Sequence, residues 1–371
     1  MHRTSVVDPP LADPPIKRAN AARFSGILPY VQLAAGIVIV VAGLRAAQGI
    51  LAPLALAVFA AAVSLPAMFW LKRRGAPTAL AILLVVLLDA LLLSFVGWVI
   101  AQTISELRVE LPTYLERAQS LELQLREQLR ARGVNMTTSL YATLVEPEQL
   151  VANVTTAARG ISSVLALFLL ILLYVVFVLA ESTKLPNKVR VALGPRAAAL
   201  SAGTDVLTHV QRYLVLKSLI SLATGSLVAA SAAWLGVDFA LFWGLLAFLL
   251  NYIPTIGSFV AAVPGILVAL LQLGPGPAFV FAMAYLVINT IIGSIIDPIV
   301  TGQQLRLAPI VVLVSLVFWG WTWGPIGAFL SVPLTITLRM VMERVPALEP
   351  YAALMGPIDS PRAGRNVPRS G

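Results

Sequence analysis

The stretch from Asn251 to Pro264, NYIPTIGSFVAAVP, lies in the middle of an apolar run too long to be one ordinary membrane helix. Its Asn, Pro, Thr, Gly and Ser fall where hydrocarbon would offer the backbone no water. Irregular backbone at that depth persists only where protein shields it or a wet cavity adjoins it. The interruption therefore bears on function as well as on fold.

Composition places this stretch in an all-α polytopic membrane protein. The chain is 59% hydrophobic and 12% charged, against about 45–50% apolar and about 25% charged in soluble domains. The apolar runs are continuous and lack the alternation of a membrane β-barrel. There are no cysteines, which excludes disulfides, thiolate catalysis and Cys metal sites. The net charge of +9 does not point to nucleic acid, because the basic residues flank apolar segments. Arg3, Lys17, Arg18 and Arg23 precede the first span, and Lys72, Arg73 and Arg74 follow the second. That placement marks cytoplasmic loops and contact with anionic membrane lipid.

Working outward, residues 1–26 read as a disordered cytoplasmic tail without the order of a signal peptide. Three spans follow within residues 27–102, near Ile27 to Leu44, Ala46 to Leu71 and Thr78 to Ala101. Residues 103–158 form a polar extracytoplasmic insert with five Arg and seven Glu. Within it, Leu107, Leu111 and Leu115, then Leu121, Leu125 and Leu129, recur at four-residue spacing. This is an amphipathic helix expected to lie on the membrane or on a neighbouring subunit. Residues 159–345 form the transport core. It contains a fourth span near Ile161 to Leu179 and a cytoplasmic linker, 182–212, that merges with a fifth span near Tyr213 to Leu235. Arg196, His209, Arg212 and Lys217 belong to this basic region, and His209 reads as a surface imidazole. A span near Ala278 to Ile296 lies farther on, and 346–371 is a second cytoplasmic tail.

Two segments of about thirty residues, Phe239 to Leu273 and Ala308 to Leu338, would each run about 45 Å as straight helices, past hydrocarbon roughly 30 Å thick. Both break near the middle, and in related words. IPTIGSFVAAVP in the first answers WGPIGAFLSVP in the second, with Ile256-Gly257-Ser258-Phe259 set against Ile326-Gly327-Ala328-Phe329 and a Val-Pro closing each run. The expected fold is six spans plus two broken re-entrant hairpins. The first hairpin dips from outside and the second rises from the cytoplasm, so that they point at each other. The alternative is eight spans with two long kinked ones. Gly/Pro-interrupted segments in corresponding positions are the best sequence pointer to a transporter's substrate site.

The candidate path is lined by Asn251, Tyr252, Pro254, Thr255, Gly257 and Ser258 at the first break. Trp323, Gly324, Pro325 and Gly327 line it at the second, and Asn289 and Thr290 on the span between. Neutral donors and acceptors there suit a small polar solute; the rival reading has them satisfy one another in a packed tip. Trp319, Trp321 and Trp323 either anchor at an interface or gate by bulk. Asp89, an acid inside an early span, costs about 2.5–3.5 kcal/mol to insert and is a candidate for ion coupling by default. Asp297 is the second such candidate; a salt bridge with Arg306 across a short loop is its simplest structural role.

Several stretches carry a resemblance. ILAPLALAVFAAAVSLP with LKRRGAP, then GVDFALFWGLLAFLLNYIPTIGSFVAAVPGILVALL, DPIVTGQQLRLAPIVVL and WGPIGAFLSVPLTITLRMV, together resemble the autoinducer-2 exporter, or permease-like, family of bacterial membrane proteins. The ordered set Ile-Pro-x-Ile-Gly, Asp-Pro-x-x-x-Gly and Trp-Gly-x-x-Gly carries the likeness. It implies a homo-oligomer in the inner membrane, with some members linked to export of autoinducer-2 and others to sodium/proton exchange. The chain departs from that pattern. Asn251 stands ahead of the Ile-Pro where members often carry Glu, Ile292 and Gly293 stand where a second acid is expected, and Ala308 stands where His often precedes the Pro. With two ionisable groups missing, transport is expected to be uncoupled or differently coupled.

No Gly-x-Ser-x-Gly, His-Glu-x-x-His or Walker phosphate loop is present, and the chain has two His, so the reading is a non-enzyme without cofactor or metal. The function expected is a secondary-type transporter, exporting a small polar solute or signal molecule. An oligomeric channel, a cation/proton antiporter and a scaffolding membrane protein are the alternatives.

Overall fold

A computed structural model describes residues 31, 32, 34–133, 156, 161–184, 188, 191, 197–253, 256–301 and 307–356. The expected tails, most of the far half of the insert, Pro254, Thr255 and Arg306 lie outside the described residues, as does the side chain of His209. The chain divides into two units, residues 1–51 and 52–371. The first contains the short apolar helix α1, Ala34–Ala46.

The described residues of the larger unit form helices joined by turns, with no strand among them. Among the described residues, six helices are long and apolar enough to cross a membrane: Gln48–Arg73, Thr78–Ala131, Leu165–Ser182, Val210–Leu235, Pro275–Val300 and Pro309–Met342. Helix α2, Gln48–Arg73, carries Pro53 and Pro66 inside and ends on Lys72 and Arg73, whose charge suits a helix C-terminus. A turn at Gly75 leads through Pro77 into α3, Thr78–Ala131. With α4, Ile161–Ser182, these helices share a core of Ala57, Ala61 and Met68, Ala81 and Val85, and Ile171, Val175 and Leu179. Spacings of four or seven residues within each set put one stripe of each helix inward. The alanines let α2 approach its neighbours closely.

Helix α3 differs from expectation. The third span and the near half of the insert, to Ala131, are one helix of 54 residues, about 80 Å long, where the sequence suggested an amphipathic helix beyond the span. The change from apolar to polar residues near Gln102 does not end it, because the sequence beyond is rich in Glu, Leu, Arg and Gln, all good helix formers. Pro112 is accommodated inside.

Helix α5, Ala197–Leu235, packs on α6, Ala240–Leu250, and Gly225 and Gly244 face each other so closely that an added Cβ on either would meet the other's backbone. Helices α7, Ile256–Leu273, and α8, Pro275–Asn289, complete this group around Val228, Ala232, Trp243, Ala247, Phe281 and Tyr285. The chain reverses between α6 and α7. The Asp238 amide donates to Gln272 Oε1 at 2.8 Å, and Gln272 Nε2 donates to the Gly236 carbonyl at 3.0 Å, so residues 34 and 36 apart meet at the base of the pair. The far part of α3 braces this base. Tyr114 donates to Asp238 Oδ2 at 2.6 Å, and Arg117 donates to the Gln272 carbonyl at 2.9 Å.

Beyond α8 the helix widens into a π-helical stretch, Thr290–Ile296, then tightens into α9, Asp297–Thr301. Pro298 has no N–H to give the preceding turn. Helix α10, Pro309–Met342, is broken at Gly324, where φ is 64° and ψ is −146°. Pro325 disfavours helical geometry in the residue before it, and glycine takes the positive φ without a Cβ penalty. The two arms fold back on each other. Trp319 Nε1 donates to Thr335 Oγ1 at 3.2 Å, sixteen residues on, a separation that would be about 24 Å along a straight helix. A short helix α11, Glu349–Leu354, closes the described chain, and the Ala308 amide donates to the Met355 carbonyl at 2.9 Å.

Candidate functional site

The tip of the α6–α7 pair reaches a polar face of α5. Lys217, Ser218, Ser221 and Thr224 are one turn or less apart along that helix, on one side of it. Asn251 Nδ2 donates to Ser221 Oγ at 3.0 Å, and Tyr252 donates its hydroxyl to Ser218 Oγ at 2.6 Å. Asn251, Tyr252, Ser221 and Thr224 are all buried. The base of this pair, by contrast, is held at Gly236, just past the other end of α5.

The broken helix α10 arrives from the opposite end. Val312, Val332, Ile336 and Met340, on its two arms, pack around Tyr213 and Leu214 near the start of the apolar part of α5. Its second arm then brings Phe329 to Tyr252, ring centroids 4.7 Å apart, and Phe59 of α2 packs edge-on against both at 5.4 and 5.2 Å. The three rings join both broken segments to α2 at the level of the α5 hydroxyls.

Two glycines fix the tips. An added Cβ on Gly257 would overlap the Leu250 carbonyl oxygen, and one on Gly327 would overlap that of Trp319. Each glycine thus lies against the backbone of the opposing arm. Ser258 Oγ donates to Asn289 Oδ1 at 2.7 Å, tying α7 to α8. Trp323 is buried against Trp319, rings 5.0 Å apart, while Trp321 is exposed. Gly324 forms the turn and Pro325 is exposed beside it, whereas Thr290 is exposed at the head of the π-helical stretch.

The two acids separate. Asp89 is buried in the α2–α3 pair, where Ser64 donates to Oδ1 at 2.7 Å and Oδ2 meets no hydrogen-bond donor among the described residues. Asp297 lies against the polar face of α5. Its Oδ2 meets Lys217 Nζ at 2.6 Å, with 4% of the lysine side chain and 21% of the aspartate exposed. Lys217 is thus a described partner of Asp297, and Arg306, which the sequence suggested, lies outside the described residues. Removing one member of such a pair costs about 3–5 kcal/mol, because the other is left buried and uncompensated. Lys217, Ser218, Phe59 and Phe329 were not singled out from sequence as site residues. The signal available was the 217, 218, 221, 224 spacing, a polar face on an otherwise apolar helix.

Known proteins resemble the chain over this whole region. The model of the AI-2E family transporter matches residues 34–347. YhhT of Escherichia coli is 35% identical over 323 residues, 87% of this chain and 93% of that one. The AI-2 transport protein TqsA of Escherichia coli is 34% identical over 327 residues, 87% of this chain and 94% of that one. A Haemophilus influenzae relative is 34% identical over 332 residues, 88% of this chain and 95% of that one.

Proposed function

The chain belongs to the AI-2E transporter family, and from that premise we propose that it is a multi-pass carrier of the bacterial inner membrane that exports a small polar solute. TqsA is named for AI-2 transport, and a signal molecule of that kind is the first solute to test. The carrier's site lies where the two broken segments meet α5. In this reading each segment is a re-entrant hairpin, one opening to each side of the membrane, and both termini are cytoplasmic. Membership of a transporter family supports the non-enzymatic reading.

The observation that carries the proposal is the Tyr252–Phe329 contact over the α5 hydroxyls. Segments entering from opposite ends of one helix touch at their tips, so parting either tip from α5 opens a path to one side only. That is the requirement of alternating access. Tips packed ring against ring favour a carrier over a standing channel. Reconstitution in proteoliposomes tests the reading. Uptake that saturates with solute and is accelerated by solute on the far side supports a carrier, whereas unitary conductance without saturation would replace it with a channel. We also assign the protein a homo-oligomeric state, supported by exposed Leu123 and Leu125 on the long polar end of α3.

A further inference from the structure

Lys217 and Asp297 are not equivalent partners. The lysine is the drier, with 4% of its side chain exposed against 21% for the aspartate, and Asp297 has further interactions besides this pair. A cation taking Asp297 would strand Lys217 in the more desolvated position. An anion taking Lys217 would strand Asp297 in the less desolvated one. Stranding the drier charge costs more, so exchange at the lysine is the cheaper event. Of the hydroxyls on or against that face, Ser218 donates to the Leu214 carbonyl and Tyr252 to Ser218, whereas Ser221 accepts from Asn251 and can turn its O–H to an oxyanion. Asp297 also sits on a support suited to moving. It follows a seven-residue π-helical stretch and precedes Pro298, and a one-residue shift between π and α register would swing its carboxylate around the helix.

We propose that Lys217 is the solute-binding cation of the site and Asp297 its resident counter-ion. The solute is then a small molecule bearing one acidic oxygen group, a carboxylate or a phosphate ester, which displaces Asp297. This rests on the carrier reading and adds the charge of the cargo.

Binding to the purified full-length protein tests it, with acetate and inorganic phosphate as probes and glycerol as neutral control. Asp297→Asn should bind one of the anions at least about tenfold more tightly than the native protein, the scale of removing one close charge competitor. Which anion gains separates carboxylate from phosphate cargo, and glycerol should show no change. Lys217→Gln should lose anion binding. If that variant does not fold, the double variant Lys217→Met with Asp297→Met removes both charges and should give folded protein that still does not bind anions. No gain in Asp297→Asn, or native anion affinity in either lysine variant, overturns the assignment. Flux separates the two levels. Transport of a neutral solute at native rate by the double variant would sink the anionic cargo and leave the carrier, whereas absence of flux in the native protein across carboxylates, phosphates and neutral solutes would sink the carrier.

Discussion

A Cβ on Gly257 or Gly327 would overlap a carbonyl oxygen of the opposing arm, and backbone cannot step aside as a flexible side chain can. Gly257→Val and Gly327→Val should therefore force their tips open, at an overpacking cost of about 1–3 kcal/mol each. Solute flux in proteoliposomes should fall to background while the gel-filtration profile stays native; normal flux from well-expressed Gly257→Val would remove the tip from the mechanism. Asp89 gives the opposite expectation. Asn there keeps an oxygen for the Ser64 hydroxyl and places an amide where one carboxylate oxygen has no donor among the described residues. Asp89→Asn should keep the pH profile of transport, and a flattened profile would put the coupling proton on this residue. Asn251, Gly257 and Ser258 stand out in the sequence because polar residues and glycine are conspicuous against apolar neighbours. Lys217 does not, because it follows a basic stretch and its partner is 80 residues away.

At the scale of elements, the base of the α6–α7 pair depends on one side chain. Gln272 satisfies the Asp238 amide and the Gly236 carbonyl together. Gln272→Leu should cost about 0.5–1.5 kcal/mol for each hydrogen bond lost, since Gly236 is exposed and Asp238 half-buried, read as a lower midpoint in thermal unfolding. An unchanged midpoint would mean that the base is held elsewhere, through Tyr114 and Arg117 of α3. The reversals between α6 and α7 and at Gly324 are legible because Pro and Gly act locally on the backbone. The continuity of α3 is not. A switch from apolar to polar composition marks where lipid ends as readily as where a helix ends, and four-residue leucine spacing is the same for a separate helix and for the extension of a span.

For the whole molecule, the carrier reading requires that both broken segments return to the side from which they came. Length and composition alone qualify Pro309–Met342 as a crossing helix, and only its folded-back arms argue otherwise. Charge bias leaves the same question open, since hairpins and long spans both put the termini on one side. The chain contains no cysteine, so single thiols can be introduced without background. Trp234→Cys and Gly276→Cys bracket the first broken segment, and Ile310→Cys and Arg344→Cys bracket the second, all at exposed positions. A membrane-impermeant thiol reagent applied to right-side-out and inverted vesicles should label 234 and 276 from the outer face only, and 310 and 344 from the cytoplasmic face only. Labelling of either pair from opposite faces would make that segment a crossing helix and contradict the two-hairpin carrier.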